Sequence, residues 1–283
     1  MLAQVNVAYT DDNGTSLSHT FPILGVTPKE PLIVSQITGL TPVDFDLFVG
    51  DYARNGGIYQ GRRVGVRNIV MHIDMNPDPA LGQTVSGLRK LLSNLFVKNA
   101  VRGEMVRMVF IDVEGHQVYT EAYTEKFETE IFSKETMVQV SLLCPDPYFN
   151  DVTGVNLQDP NGWVSLPIEY NGDVEVGLSL ELEVLYEPTA GTIKVLLDNG
   201  QTMTLIHPFA FGDVITINTQ RGSRGITLRR GSSTTSILGS LSPDSRWLEV
   251  GRRNNVLSAT GLTSSTSPAV IKRVVYRPKH GGL

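Results

Sequence analysis

Leu178-Ser179-Leu180-Glu181-Leu182-Glu183-Val184-Leu185-Tyr186 decides the fold class. Large apolar side chains stand at 178, 180, 182, 184 and 186, with Glu181 and Glu183 between them. A period of two sends alternate side chains to opposite faces of a strand, so this stretch reads as a half-buried strand, leucines inward and glutamates in water. Turn signals recur on its C-terminal side. Asp198-Asn199-Gly200 separates an apolar run at 193–197 from one at 202–206, and Asn-Gly predicts a type I′ hairpin because both residues tolerate positive φ. Gly212-Asp213 precedes 214–218, Arg230-Gly231 divides two further short runs, and 247–250 and 269–276 follow. Short strands with turns at this spacing predict an all-β sandwich over the second half.

The first half alternates as well. Val5, Val7 and Tyr9 run into the turn Asp11-Asp12-Asn13-Gly14; Ile69, Met71 and Ile73 share a face, as do Tyr123, Phe127 and Ile131, and Val138, Val140 and Leu142. One segment breaks the pattern. Val85, Leu88, Leu91, Leu92, Leu95 and Phe96 form a stripe at helical spacing, Thr84 offers a cap, and Lys98 sits near the negative end. The spacing predicts one amphipathic helix over about 84–97 that plugs or covers a β-barrel or sandwich. Ahead of it, 41–62 sets Phe45, Leu47, Phe48, Tyr52, Ile58 and Tyr59 among glycines and aspartates. Glycines weaken a packed strand, so this segment reads as a long loop: either a protruding arm whose aromatic rings meet a neighbouring subunit, or a loop folded back on its own barrel. Phe45, Phe48, Tyr52, Arg54 and Tyr59 are the candidate subunit-interface residues.

Cys144-Pro145-Asp146-Pro147-Tyr148-Phe149 closes the first half. Its alternate prolines fix φ and bias the residues before them towards extended backbone, which predicts a stiff connector. The expected organisation is a first β domain over 1–145, a connector over 146–160 and a β-sandwich over 161–283.

Composition bounds what the chain does. Its 283 residues are 41% hydrophobic and 19% charged, with a mean hydropathy of −0.04. A single cysteine, Cys144, forbids an intrachain disulfide and fits assembly in a reducing compartment. The N-terminal residues lack the basic and apolar regions of a signal peptide, and no apolar run is long enough to span a bilayer. A net charge of −5 argues against nucleic acid as the main partner. The adjacent cations Arg229-Arg230, Arg252-Arg253 and Lys272-Arg273 read as solvated strand or turn residues.

The sequence offers no catalytic or metal-binding motif, and no cofactor is expected. The five histidines, His19, His72, His116, His207 and His280, are isolated along the chain, and Cys144 reads as a small core or edge thiol. Asp44-Phe45-Asp46 and Asp11-Asp12-Asn13-Gly14 lack the calcium-loop pattern. Glu181 with Glu183, and Glu125 with Glu128 and Glu130, read as solvated sheet faces rather than an acid–base pair. Arg221-Gly222-Ser223-Arg224-Gly225 opens no helix and makes no phosphate loop.

Two stretches carry a family resemblance. Cys144, Asp146, Pro147 and Tyr148 stand in a segment similar to the one that closes the N-terminal domain of the distal tail proteins of long-tailed, non-contractile phages. The second half resembles the C-terminal domain of that family through Gly212-Asp213, Trp247 with Gly251, and Tyr276-Arg277 with Gly282-Leu283. The resemblance implies a non-enzymatic subunit of a homo-hexameric ring at the virion tail tip, made and assembled in host cytoplasm. Its implied partners are other copies of itself, a tail tube or tail terminus protein, a tail-tip hub protein, and receptor-binding or side-fibre proteins. It also implies a galectin-like C-terminal sandwich; the net charge and the lack of a long apolar run argue in addition against sequence-specific nucleic acid as a partner and against membrane insertion. The alternative reading is a carbohydrate-binding module or adhesin that recognises host cell-surface glycan, for which Trp163 and Trp247 supply the stacking rings.

Overall fold

A computed structural model describes the chain except for residues 11–14, 25–29, 52–56, 130–135, 253–254 and 263–266. The protein is mainly β, with several antiparallel sheets and one α-helix among the described residues. It divides into two compact units, Met1–Val152 with His280–Leu283, and Thr153–Lys279. The division between Val152 and Thr153 falls within the stretch 146–160 expected to connect them.

The first unit contains β1 (Leu2–Thr10), β2 (Ser16–Pro22), β3 (Leu32–Thr38), β4 (Phe45–Asp51), β5 (Gly57–Val64), β6 (Arg67–Met75), β7 (Val106–Asp112), β8 (Gln117–Thr129), β9 (Met137–Cys144) and β10 (Phe149–Asp151). Seven of these pair in the order β2-β1-β7-β8-β9-β6-β3. A parallel bridge between Ile23 and Val34 then brings the far edge of β3 against the chain leaving β2, so the sheet curls round into a barrel. Val5, Val7, Ile69, Met71, Ile73, Val138, Val140 and Leu142 are buried inside, as their alternation predicts.

Tyr123 departs from its expected face. Its side chain is 37% exposed, while Val118, Thr120 and Ala122 point inward. A bulge between Thr124 and Lys126 shifts the pairing of β8 with β9 by one residue. The inward set therefore changes from even to odd positions, and Phe127 packs on the core although Tyr123 does not. Ile131, the third member of that set, lies outside the described residues, as does the turn at Asp11–Gly14.

The helix, α1 (Val85–Arg102), runs five residues past the expected end. Thr84 Oγ1 accepts the Gly87 N–H, and Gly103 ends the helix in the left-handed region. Leu88, Leu92, Leu95 and Phe96 are buried in the barrel core, joined by Asn99, whose Nδ2 donates to Leu95 O. Leu91 is 38% exposed, a correction to the predicted stripe. The buried arc follows 88, 92, 95, 96 and 99, and position 91 falls at its edge.

The second unit contains β11 (Val155–Trp163), β12 (Ser165–Ile168), β13 (Val176–Gly177), β14 (Ser179–Val184), β15 (Thr192–Leu197), β16 (Thr202–Ile206), β17 (Val214–Asn218), β18 (Gly225–Arg230), β19 (Ser233–Ser236), β20 (Glu249–Val250), β21 (Asn255–Thr260) and β22 (Ala269–Tyr276); the short β23 (Lys279–His280) follows. A six-stranded sheet, β11-β22-β14-β17-β18-β19, and a four-stranded sheet, β12-β21-β15-β16, enclose one core. Leu178, Leu180, Leu182 and Val184 are buried in it, and Glu183 faces outward to pair with Lys272 Nζ at 2.8 Å.

The hairpin at Asn199-Gly200 forms, but not as type I′. Only Gly200 has positive φ (+88°) there, Gly200 N donates to Leu197 O, and Leu197 N donates to Gln201 O. That is a three-residue loop ending in a left-handed glycine, which needs positive φ at one position instead of two.

Candidate interaction sites

The strands β4 and β5 make a two-stranded sheet of their own, paired with each other and, among the described residues, with no third strand. Phe45, Leu47, Phe48, Val49, Ile58 and Tyr59 are between 43% and 62% exposed. A lone hairpin is marginal in water, and this one exposes apolar side chains from both strands. Arg62 lies over the Phe45 ring at 4.8 Å, a local cation–π contact that leaves the other rings open. Of the expected interface residues, Phe45, Phe48 and Tyr59 stand here, while Tyr52 and Arg54 lie outside the described residues. The pairing register puts Leu47 and Val49 on the face of Phe45 and Tyr59, and Ile58 with Phe48 on the opposite one.

Arg67, at the start of β6, fixes the root of this hairpin. Its side chain is buried. Nε donates to Pro147 O at 2.6 Å, Nη1 to Gly39 O and Thr41 O at 2.6 and 2.7 Å, and Nη2 to Gly281 O at 2.5 Å. The guanidinium also stacks on the Phe149 ring at 4.4 Å. Burial lowers its pKa, and the nearby Asp44 carboxylate works against that shift. Gly39 has φ +84°, and a Cβ there would lie 2.0 Å from Asn68 O, so the chain passes β6 only as glycine. Residues 281–283 complete the arrangement: Val43 N donates to Gly281 O, and Leu283 N to Leu40 O.

The Cys144–Tyr148 segment thus serves the first unit directly. Cys144 is fully buried in the barrel core, where burial raises its thiol pKa. Pro147 supplies one of the four carbonyls around Arg67, and Asp146 Oδ1 accepts the Tyr148 N–H at 3.3 Å. Arg67 was invisible to motif reading because its partners are backbone atoms scattered over the chain.

In the second unit, Gly212 and Asp213 form the turn into β17. Asp213 is 1% exposed, and Arg230 grips it with two donors at 2.8 and 2.6 Å, while Ala210 N donates to its second oxygen. The Arg230 hydrogen bond holds the Asp213 carboxyl below the ordinary range. Tyr276 is buried and its hydroxyl donates to Glu169 O at 2.7 Å. Gly251 exchanges hydrogen bonds with the Asn255 side chain. Trp247 and Trp163 pack against the sandwich core, and Arg224 lies over the Trp247 ring at 5.2 Å. All five positions of the expected C-terminal motif act within the fold of this unit. The strand expected over 247–250 is shorter, only Glu249–Val250, because the strand it pairs with, β13, offers only Val176 and Gly177.

A curled barrel with one helix and a separate hairpin in the first unit, and a β-sandwich in the second, define a mainly β protein. No protein-family model matches the chain, and no curated protein matches it by sequence. Among solved structures, the Dit protein of phage SPP1 matches with a TM-score of 0.60 and 16% identity, covering 88% of this chain and 93% of that one. That protein is described as a paradigm of the hub adsorption apparatus in phages infecting Gram-positive bacteria. The phage P2 baseplate in its activated conformation with Ca aligns over 100% of both chains at 11% identity, with a TM-score of 0.45, too low to carry an argument. The chain therefore shares the fold of a phage hub adsorption protein.

Proposed function

We propose that the chain is a structural subunit of a phage tail tip, closed into a ring of six copies that joins the tail tube to the hub and to receptor-binding or side-fibre proteins. The observation that carries this reading is the β4–β5 hairpin, a two-stranded arm with six large apolar side chains in solvent. A ring needs a heterologous contact, one patch meeting a different patch on the next copy, and an arm supplies one half of it. A stable contact of that kind buries more than roughly 1,000 Å² and draws its energy from aromatic residues. The fold shared with SPP1 Dit supports the same reading. The first unit forms the ring and the sandwich carries the outer proteins. The particle is a virion component assembled in host cytoplasm, and it works through surfaces rather than turnover. The glycan alternative gains nothing from the tryptophans, whose rings are engaged in core packing.

Native mass and negative-stain images of the purified chain test this. The expected species is a closed ring of about six times 31.0 kDa. The pair Phe48→Asp and Tyr59→Asp places charge on the arm without touching the barrel core, and converts rings to monomers. A ring that survives this pair rules out the arm as the contact, and a monomer at every concentration rules out self-assembly of the isolated chain.

A further inference from the structure

Two of the five histidines, isolated in sequence, meet in space. His116 sits in the turn between β7 and β8, shaped by Asp112, whose Oδ1 accepts the backbone N–H of Glu114 and of His116 at 2.9 Å each. Asp151 ends β10, which pairs with β8 through Asn150 with Tyr119 and Asp151 with Val118. His280 is the residue at which the chain rejoins the first unit. Both imidazoles aim Nε2 at one carboxylate oxygen: His116 lies 3.3 Å and His280 2.9 Å from Asp151 Oδ1. The rings stand nearly perpendicular, their centroids 5.9 Å apart.

We propose that His116, Asp151 and His280 form a binding site for a divalent transition-metal ion, zinc foremost, which locks residues 280–283 onto the first unit. The three ligand atoms lie within 4.8 Å of one another. A tetrahedral zinc ion with bonds of about 2.0–2.2 Å separates its ligand atoms by about 3.4 Å, so the present spacings need only a small adjustment. That adjustment falls on His116, whose side chain is 56% exposed and swings without moving the backbone. Asp151 and His280, both 17% exposed, are held in place by the strands that carry them. Two imidazole nitrogens and one carboxylate oxygen suit zinc, cobalt or nickel; calcium and magnesium prefer oxygen alone. Both histidines line a cavity of about 430 Å³ with Asp112 in its wall, room for the water that fills a fourth position.

The consequence is mechanical. His280 is followed by Gly281, whose carbonyl accepts from Arg67 Nη2 and Val43 N, and Leu283 N donates to Leu40 O. An ion on His280 therefore steadies the segment 40–43 that leads into the hairpin. The ligands come from three distant parts of the chain, so no local spacing announces them.

The test uses the full chain, freed of metal by chelation. Titration calorimetry with zinc chloride gives one ion per chain, and cobalt gives the visible absorption of a tetrahedral centre. Zinc at about 100 times its dissociation constant raises the melting temperature by about 5 °C or more, and slows hydrogen exchange at the Leu283 amide. His116→Ala, at an exposed turn, keeps the fold and weakens zinc binding by more than about 10-fold; Asp151→Asn does the same. Magnesium and calcium give no such response. Equal zinc binding by the wild type and the His116→Ala/His280→Ala double variant marks an adventitious ion only and overturns the proposal. So does an absence of zinc binding up to millimolar concentration. None of these readouts depends on ring formation, so failure here leaves the assembly reading untouched, and the reverse holds.

Discussion

Arg67 satisfies four backbone carbonyls from separate parts of the chain with one planar group: Gly39 and Thr41 before the hairpin, Pro147 after β9, and Gly281 near the end of the sequence. A guanidinium does this because its donors lie in a fixed fork, whereas an ammonium offers three donors from one point. Burying the charge has a cost, and removing the side chain has a larger one, because each carbonyl left dry and unpaired loses about 1–3 kcal/mol. Arg67→Met is therefore expected to destabilise the first unit by roughly 3 kcal/mol or more, and Arg67→Lys to recover less than half of that. Hydrogen exchange at Val43 and Leu283 reads the change directly, since both amides belong to the segments Arg67 ties together. Unchanged protection in Arg67→Met would contradict the role assigned to it.

At the scale of elements, α1 separates what its sequence encodes from what the barrel decides. Leu92 is fully buried and Leu91 is 38% exposed, although both belong to one apolar stripe. Leu92→Ala is expected to cost about 2–5 kcal/mol, Leu91→Ala no more than about 0.5, and Thr84→Ala about 1 through loss of the cap. Urea denaturation followed by far-ultraviolet circular dichroism measures all three, and equal costs at 91 and 92 would refute the packing described. The same contrast explains how far the sequence could be read. Alternation at 178–184 and the cap at Thr84 are local properties, dictated by backbone period and by the orphan N–H groups of a helix start, and they hold, whereas Tyr186, read as the next inward residue, lies past the end of β14 and is 40% exposed. The inward face of β8 was not legible, because one bulge at Thr124–Lys126 inverts the parity without altering the pattern of residue types. Nor was the loop at Asn199, where one residue more in the connection removes the need for a second positive φ. The exposure of Phe45, Phe48 and Tyr59 was legible because glycines interrupt them, but their pairing as two strands was not, since the same glycines argue against a strand. Arg67 and the His116–Asp151–His280 group were not, because their partners are joined only by the fold.

The whole molecule poses the question of which unit stands alone. The second unit owns a closed core between two sheets, and its ion pair Asp213–Arg230 and its buried Tyr276 are satisfied from within 153–279. The first unit is completed by residues 280–283, which supply an acceptor for Arg67 and for Val43 and a donor for Leu40. A fragment spanning 153–279 is therefore expected to fold with one cooperative transition at the temperature it shows in the full chain. Both tryptophans, Trp163 and Trp247, lie in this unit, so tryptophan fluorescence follows its unfolding alone. A fragment spanning 1–152 keeps the barrel core and α1 but loses three hydrogen bonds at the hairpin root. Each is worth about 0.5–1.5 kcal/mol, and more for the bond to the charged guanidinium, so the fragment melts lower than its counterpart in the full chain by several degrees. Covalently restoring residues 280–283 through a short flexible linker after Val152 recovers the loss, whereas a linker ending in Ala at the position of His280 keeps the Arg67 contact and forfeits only the imidazole. A 1–152 fragment as stable as the first unit of the intact chain would show that the returning segment rests on the barrel without supporting it.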